Sequence, residues 1–471
     1  MDAATIRELK PELENFLQRF EGCFFRRDTR AHLETYVGGQ LSDVKRKNVE
    51  AMALEAGVPV RTLQEFLSQH KWDEDRMRDR LQQIVRDEHA HAHSIGIIDE
   101  TSDDKKGTKT PGVQRQHLGC VGKQDNGIVT VHLAYAADDF HCLLDGELFL
   151  PESWSDDRPR CREAGIPDDM VYRSKSEIAL ELYDRATANG VRFSWLTFDE
   201  WYGAKPAFLE GLNGRQQLFV GETHCRLVAW TAEPSVTTRS YRKGAGGRPR
   251  KIPRLTANSP KSQYLEDLVR RQQVFTDQPW QTWHVKDGEK GPIVWDVKRA
   301  TVWVKGPDGL PMEPWQLLLC RNAVNPNEIK YFISNASSDT PTETLLLVAF
   351  SRWRVERCFQ DDKGEVGLDH YEGRRYIGLK RHLILSAVSL LFLSRVTRRL
   401  AGKKSGVDCL PGAHGDVCGS EVLVAGPLSR RQPVRPSRRK NQLGATPKRR
   451  STKKPYENHA TKAETTRHQT H

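Results

Sequence analysis

The sequence predicts a fold of the α+β or α/β class, with a helical N-terminal domain, a mixed core and a mostly β insertion within that core. Two observations support this prediction. The spacing of apolar residues changes from a helical period to short β-type runs near residue 94. From there to residue 213, segments typical of strands and helices follow in the order βββαβα, and β-type runs continue to about residue 340 before helical spacing returns.

Residues 1–90 are predicted to be the helical N-terminal domain. In the segment ALEAGVPVRTLQEFL, three residues have the offsets that a helix-turn-helix gives to a small residue, a turn glycine and an apolar anchor: Ala53, Gly57 and Leu63. An ordinary helical hairpin with a glycine cap fits the same pattern. We therefore expect either a domain that binds DNA ends or a structural hairpin.

Residues 91–213 are predicted to hold the first part of the core. SIGIIDETS, RQHLGCVG and GIVTVHLAYA predict a three-stranded meander. SKSEIALELYDRATANG predicts a helix, because Ser174 and Glu177 have capping-box spacing and Gly190 follows its end. A strand that ends in acids, FSWLTFDEWYG, and a helix, KPAFLEGLNG, complete the series. This order of elements is that of a ribonuclease H-like core.

Residues 214–340 are predicted to be the mostly β insertion, and they contain a strongly basic segment, RSYRKGAGGRPRKIPR. Its glycines do not follow a strand and open a helix, so the segment does not fit a phosphate-binding P-loop. A flexible loop that contacts the DNA backbone is favoured over a merely solvated loop. The basic residues expected to bind DNA are Arg239, Arg242, Lys243, Arg248, Arg250, Lys251 and Arg254.

Residues 341–398 predict the C-terminal helices of the core, and residues 399–471 predict a basic tail without usable periodicity. The formal charge of the chain is +11. Residues 401–471 contain 15 Lys and Arg against 5 acidic residues, so the rest of the chain is nearly neutral. We expect the tail to be a disordered arm that binds DNA without sequence preference.

Composition excludes several other classes of protein. The nine cysteines are odd in number and form no C-x-x-C pair, which indicates reduced thiols and no zinc ribbon. The longest apolar stretch, Leu383 to Leu393, covers about half of the roughly 20 residues that cross a bilayer, so a buried helix and no membrane association are expected. The N-terminus lacks the layout of a signal peptide, and the expected location is the cytoplasm.

Two aspartates stand where apolar strands end. Asp99 follows Ile97 and Ile98, and Asp199 follows the strand segment WLTF. A carboxylate beside a buried strand is costly unless a cation or a donor meets it, so the pair suggests a metal site. Each aspartate alone is also compatible with an ordinary turn at the end of a strand.

A third acid is predicted on a C-terminal helix. At 100° per residue, Arg352, Glu356 and Lys363 fall on one helical face, with the glutamate between two basic residues. Ion pairs on an exposed helix surface would give the same pattern. The apolar segment TLLLVAF precedes this face, which favours a packed helix and a polar site.

These motifs together resemble the DDE transposases of cut-and-paste bacterial insertion sequences. The family signature has Tyr, two residues, Arg, three residues, Glu, six residues and Lys, and here Arg352, Glu356 and Lys363 match its spacing. Asp99 in IIDETSDDKKG and Asp199 in FDEWYG resemble the family's first and second acids. The similarity spans roughly residues 20–395, and GLDHYEGRRYIGLKRH is also typical. The signature's Tyr position is Ala349, so no contact by that side chain is expected.

The resemblance implies the chemistry. Asp99, Asp199 and Glu356 would hold Mg²⁺ or Mn²⁺, and Arg352 and Lys363 would offset phosphate charge. The partners implied are double-stranded DNA, as transposon ends and as target, and a second copy of the chain in a synaptic homodimer at the bacterial nucleoid. The insertion between Asp199 and Glu356 would help to grip the DNA end.

Two other functions remain open from the sequence. A non-catalytic DNA-binding repressor derived from a decayed transposase would bind the ends and cut nothing. A general ribonuclease H-like nuclease would cut DNA regardless of its terminal sequence and perform no strand transfer.

Overall fold

The computed structural model describes residues 3–238, 252–288 and 291–404. The described part combines helices and strands, which confirms the predicted mixed α and β class. The N-terminal region is helical, with α1 (Ala3–Gln18), α2 (Arg27–Gln40), α3 (Val49–Glu55), α4 (Val60–Ser68) and α5 (Glu74–Glu88). Gly57 has a φ of +65° in the turn between α3 and α4, a backbone conformation that favours glycine. Ala53 and Leu63 are fully buried on either side of that turn.

The first sheet has five strands, β1 (Ile95–Asp104), β2 (Gln114–Leu118), β3 (Lys123–Ala137), β4 (Phe140–Leu148) and β5 (Trp195–Phe198). The order is β2-β3-β1-β5, and β4 also pairs with β3. Strand β1 is antiparallel to β3 and parallel to β5.

The prediction of only three strands before the first core helix was wrong, because β4 was missed. Its segment FHCLLDGEL contains Asp145 and Glu147, whose acidic character is typical of a surface turn. Both residues are buried, and Arg185 forms ion pairs with both carboxylates, at 2.9 Å and 3.4 Å. Arg185, about 40 residues further along the chain, therefore stabilises the two buried acids that kept the sequence pattern from predicting a strand.

The helices between and after these strands are α6 (Glu152–Ser155), α7 (Arg158–Ala164), α8 (Lys175–Ala188), α9 (Glu200–Gly203) and α10 (Pro206–Gly214). The predicted capping box of α8 is confirmed, since Ser174 and Glu177 each bond the other's backbone N–H. Helices α6 and α7 were not predicted. The described order is thus four strands, then helices, then β5 and α10.

The insertion contains the strands β6 (Val220–Thr223), β7 (Val228–Trp230), β8 (Val236–Thr237), β9 (Arg254–Leu255), β10 (Gln263–Tyr264), β11 (Gln281–Gly288), β12 (Gly291–Lys305), β13 (Pro311–Asn322) and β14 (Ile329–Ser334). Two short helices, α11 (Leu265–Arg271) and α12 (Gln273–Thr276), interrupt them. Seven strands form one sheet in the order β10-β7-β12-β13-β14-β6, with β11 on β12. A parallel bridge between Leu196 and Phe219 connects this insertion to β5. The predicted mostly β character is confirmed.

The C-terminal helices are α13 (Thr342–Ala349), α14 (Trp353–Asp361) and α15 (Tyr376–Lys404), with a π-helical turn at Asp362–Val366. The apolar segment TLLLVAF and the segment with Arg352 and Glu356 do not form one continuous helix, because the chain turns between α13 and α14. Ser351 is buried there, and its hydroxyl donates to the Val348 carbonyl (2.7 Å), which competes with helix continuation.

Helix α15 is the central helix of the apolar core, as the apolar stretch at Leu383–Leu393 predicted. Its segment Tyr376–Leu400 is the one described helix long and apolar enough to cross a membrane, and 78% of that apolar window is buried within the protein. Buried polar contacts attach α15 to the N-terminal helices. Gln40 bonds the hydroxyls of Ser386 and Ser389, and the Tyr36 hydroxyl bonds His382.

Arg381 makes the densest of these contacts. Its guanidinium donates to the carbonyls of Phe66, Leu67, His70 and Trp72, and it forms an ion pair with Glu74 (3.2 Å). These acceptors extend from the last turn of α4 to the first residue of α5, so one buried side chain holds that connection against α15.

We predict that Arg381→Met lowers the free energy of unfolding by about 3–5 kcal/mol, because buried carbonyls and one carboxylate lose their donor. Urea denaturation followed by circular dichroism measures this loss. Arg398→Ala, at an exposed position of the same helix, is the control and should stay within about 0.5 kcal/mol of wild type. Equal effects of both substitutions would contradict the structural role of Arg381.

Candidate active site

The parallel pairing of β1 and β5 brings the first two acids together. Ile98 is paired with Phe198, so Asp99 lies beside Asp199, the residue directly after β5. The expected strand end at Asp99 was wrong, because β1 continues to Asp104 in its pairing with β3. Asp199 is also the N-cap of α9, where its Oδ1 accepts from the backbone N–H groups of Trp201 (3.0 Å) and Tyr202 (3.2 Å). The strand end and the helix start therefore fix the direction of this carboxylate.

Arg352 connects these strands to the C-terminal helix. It is the N-cap residue of α14, and its Nη1 lies 3.1 Å from Oδ2 of Asp99. Its Nη2 lies 3.0 Å from Oε1 of Glu356, one turn further along the helix. The guanidinium thus bridges the first and the third predicted acid. The Asp99 side chain is 12% exposed and that of Glu356 is 60% exposed, so the site opens to solvent on the α14 side.

Burial makes the charge on the aspartates costly. Burial and then the neighbouring Asp199 charge raise the pKa of Asp99 to about 7, against an opposing effect of Arg352. Burial also raises the pKa of Asp199. Burial opposes the charge of Arg352, but the carboxylates of Asp99 and Glu356 outweigh it and raise the pKa of that guanidinium. The Arg352 guanidinium is a cation that lowers the pKa of both Asp99 and Asp199, so an additional cation would further stabilise these carboxylates.

Lys363 lies apart from this bridge. Its Nζ donates to the carbonyl of Ser102 (3.0 Å), on the same strand as Asp99 but three residues further on. Helix α14 ends at Asp361 and a π-helical turn follows it, so Lys363 lies just beyond α14. Arg352 and Lys363 both contact β1, at Asp99 and at the Ser102 carbonyl, and their expected common face with Glu356 stays a prediction.

Glu222 is a further acid at the site that the sequence analysis missed. It lies on β6, and its charge contributes to the raised pKa values of both Asp199 and Arg352. Lys330 on β14 forms an ion pair with it at 2.8 Å. The run LFVGE predicted a strand, but the approach of that strand to Asp199 depends on pairing across more than a hundred residues.

Gly203 explains how closely β6 approaches. A Cβ at this position would lie 1.9 Å from the carbonyl oxygen of Glu222, so only glycine allows the contact between α9 and β6. The Thr223 hydroxyl donates to the Gly203 carbonyl at 2.8 Å and fixes the same contact. The glycine in FDEWYG therefore has a packing role that places Glu222 near Asp199.

The donor set suits a hard divalent cation. Asp99, Asp199 and Glu356 offer only carboxylate oxygens, which Mg²⁺ and Mn²⁺ prefer. Among residues 3–238, 252–288 and 291–404, no group of three or more His, Cys, Asp and Glu side chains is gathered closely enough to hold a metal ion. In this structure the guanidinium of Arg352 stands between Asp99 and Glu356 instead.

The predicted DNA-binding loop falls mostly outside the described residues. Arg239, Arg242, Lys243, Arg248, Arg250 and Lys251 lie in the part of the chain that the structure does not describe. Arg254 is described and begins β9. The predicted start of the basic tail at residue 399 was wrong, because α15 continues to Lys404, and the rest of the predicted tail lies outside the described residues.

The family model of the DDE superfamily endonucleases matches residues 19–292 of this chain, which is more than half of its length. The chain belongs to this family. The matched range includes Asp99 and Asp199 and ends before Arg352, Glu356 and Lys363. Membership confirms the resemblance found in the sequence.

Two known proteins are similar to this DDE family member. The probable transposase for insertion sequence element IS701 of Microchaete diplosiphon is 34% identical over 168 residues, which cover 35% of this chain and 41% of that relative's length. The NurA nuclease from Sulfolobus solfataricus resembles 68% of this chain and 87% of its own, at 9% identity and a TM-score of 0.24. That TM-score is too low to assign a fold.

The raised pKa of Asp99 predicts a pH-dependent stability in metal-free buffer. Protonated Asp99 contributes stability that is complete below about pH 4 and is lost as the pH rises through about 7, because the unfolded chain releases this proton first. Asp99→Asn should therefore be more stable than wild type by roughly 1–4 kcal/mol near pH 8 and nearly equal to it near pH 4.

Urea denaturation in EDTA at both pH values measures the difference. Asp104→Asn, at an exposed position of the same strand, is the matched control and should follow the pH dependence of wild type. If Asp99→Asn also followed it, the burial effect on Asp99 would be refuted.

Proposed function

We propose that this DDE family member is a transposase of an insertion sequence, which binds the terminal inverted repeats and catalyses metal-dependent DNA cleavage and strand transfer. The observation that carries the proposal is the Arg352 guanidinium that joins the Asp99 and Glu356 carboxylates, beside Asp199 at the neighbouring strand position. The name of the similar protein, a probable transposase for an insertion sequence element, supports the same function.

The proposed scaffold is a ribonuclease H-like core. The first sheet supports this proposal. Strand β1 is antiparallel to β3 and parallel to β5, and β3 also pairs with β4. Helix α8 precedes β5 and helix α10 follows it. In this arrangement the second acid follows β5 and lies beside the first acid, which is within β1. The mostly β insertion then separates these strands from α14, which carries Glu356.

Asp99, Asp199 and Glu356 would hold Mg²⁺ or Mn²⁺, with Glu222 close enough to contribute charge. Such ions activate a water and stabilise the leaving oxygen in phosphodiester cleavage. The chain's own residues orient the reaction. The N-terminal N–H groups of α9 hold Asp199 in place, and burial keeps water away from Asp99. Arg352 supplies a planar guanidinium that pairs with phosphate as well as with carboxylate.

The remaining parts of the proposal concern DNA and assembly. Residues 1–90 are proposed to recognise the transposon ends, with α3 and α4 as the paired helices. The basic segment that contains Arg239, Arg242, Lys243, Arg248, Arg250, Lys251 and Arg254 is proposed to contact the DNA backbone. We propose that two copies form a homodimer in the synaptic complex, in the cytoplasm at the nucleoid.

A non-catalytic repressor is the alternative function, and a direct cleavage assay distinguishes the two. Wild-type protein with Mg²⁺ is expected to nick a duplex that carries the inverted repeat and to leave a duplex with a scrambled repeat intact. Binding to the repeat without nicking would favour the repressor. Cutting of both duplexes would favour a general nuclease.

We predict that Asp99→Ala, Asp199→Ala and Glu356→Ala each lower the cleavage rate by at least about 1000-fold, because each removes a carboxylate that holds the metal ion. EDTA should have the same effect on wild type. Cleavage is measured on labelled end DNA under single-turnover conditions, and binding by gel shift should be largely retained.

Glu200→Gln is the matched control, since Glu200 is an exposed acid directly after Asp199. Its rate is expected to stay within about threefold of wild type. Wild-type rates in all three alanine variants would refute the site.

A further inference from the structure

A row of alternating aromatic and lysine side chains leads away from the acids. The Tyr172 and Phe149 rings are 6.0 Å apart in an edge-on contact. Lys175 Nζ lies 5.5 Å from the Phe149 ring centroid and 5.2 Å from that of Trp201. Lys205 Nζ lies 4.8 Å from the Trp201 ring centroid, so two lysines contact this ring. We name these five residues the aromatic-lysine stripe.

The stripe is attached to the site at two points. The backbone N–H of Trp201 donates to the Asp199 carboxylate at 3.0 Å. Lys175 forms a 2.8 Å ion pair with Glu100, the residue after Asp99. The stripe therefore starts beside the Asp199 carboxylate and beside the strand that carries Asp99.

The stripe offers its aromatic rings to solvent. Trp201 is 38% exposed and Tyr172 is 40% exposed, and the neighbouring Val171 is exposed as well. Lys205 is exposed, and among the described residues no carboxylate pairs with it. Exposed rings that alternate with ammonium groups fit a ligand with flat apolar faces and regularly spaced negative charges.

Trp280 provides a comparison, because the cations that contact its ring also bind other groups within the protein. Trp280 also has two cations over its ring, with Lys298 at 4.9 Å and Arg321 at 4.2 Å. Lys298 donates to the Phe275 carbonyl, and Arg321 pairs with Asp296 at 2.7 Å. Both cations are thus engaged within the protein, whereas the outer end of the aromatic-lysine stripe is not.

We propose that the aromatic-lysine stripe binds an unpaired DNA strand next to the acids, with bases stacked on Trp201 and Tyr172 and a phosphate paired with Lys205, while Lys175 stays paired with Glu100 and holds the Trp201 ring. Aromatic side chains stack on base faces, which are covered by neighbouring bases in a duplex and free in a single strand. Lys205 supplies the backbone contact that accompanies such stacking. The inference rests on the proposed function, since it assigns the strand a place beside the cleavage site.

Binding to two labelled probes tests the stripe without any catalysis. The probes are a 20-nucleotide oligothymidine strand and a blunt duplex of arbitrary sequence, and fluorescence anisotropy in EDTA gives each Kd of the full chain. Trp201→Ala and Tyr172→Ala should each weaken oligothymidine binding by about five- to tenfold, the effect of losing one stacked base. Duplex binding should change less than about twofold.

Three further results decide the outcome. Trp201→Phe keeps a ring and should keep most of the oligothymidine affinity, while the matched control Trp280→Ala should change neither probe. Unchanged oligothymidine binding in Trp201→Ala and Tyr172→Ala would overturn the proposal. An equal loss on both probes, or an equal loss in Trp280→Ala, would overturn it too.

Failure of the proposed function gives a different result. If the wild-type protein nicks no DNA but Trp201→Ala selectively weakens oligothymidine binding, the stripe proposal stands and the transposase proposal fails. If the wild-type protein nicks end DNA but Trp201→Ala and Tyr172→Ala both bind oligothymidine normally, the transposase proposal stands and the stripe proposal fails.

Discussion

Asp99 lies within β1 and Asp199 directly follows β5, at neighbouring positions of two parallel strands, so the two carboxylates lie close together. Burial raises the pKa of both side chains, the Asp199 charge adds to the effect on Asp99 and the Glu222 charge adds to the effect on Asp199, while the guanidinium of Arg352 opposes both shifts. The rest of the site depends on how this negative charge is compensated. Arg352 pairs with both Asp99 and Glu356 and so holds α14 against β1. The same uncompensated charge favours a divalent cation beside these carboxylates.

The surrounding fold keeps these groups in position by close packing. The absence of a side chain at Gly203 lets β6 approach α9, which brings Glu222 near Asp199. The break after α13 starts a new helix at Arg352, so its guanidinium reaches the strand rather than continuing along α13. Helix α15 and Arg381 attach the N-terminal helices to the same apolar core, and the proposed end-binding segment is therefore connected rigidly to the core that carries the acids.

Features set by local sequence were predictable. The capping box at Ser174 and Glu177 lies within four residues, and the pairing of Arg352 with Glu356 follows from helical spacing. Features set by distant partners were not. Strand β4 was missed because its acids are buried against Arg185. The contact of Arg352 with Asp99 joins residues 253 positions apart, and no local pattern encodes it.

The most direct measurement is a crystal structure of the chain with an inverted-repeat duplex and Mn²⁺, with the metal located by its anomalous scattering. We predict a peak about 2.1 Å from carboxylate oxygens of Asp99 and Asp199, with Arg352 moved from Asp99 to a DNA phosphate. A peak elsewhere, or no peak while Arg352 still bridges Asp99 and Glu356 beside bound DNA, would contradict a metal-dependent cleavage site at these acids.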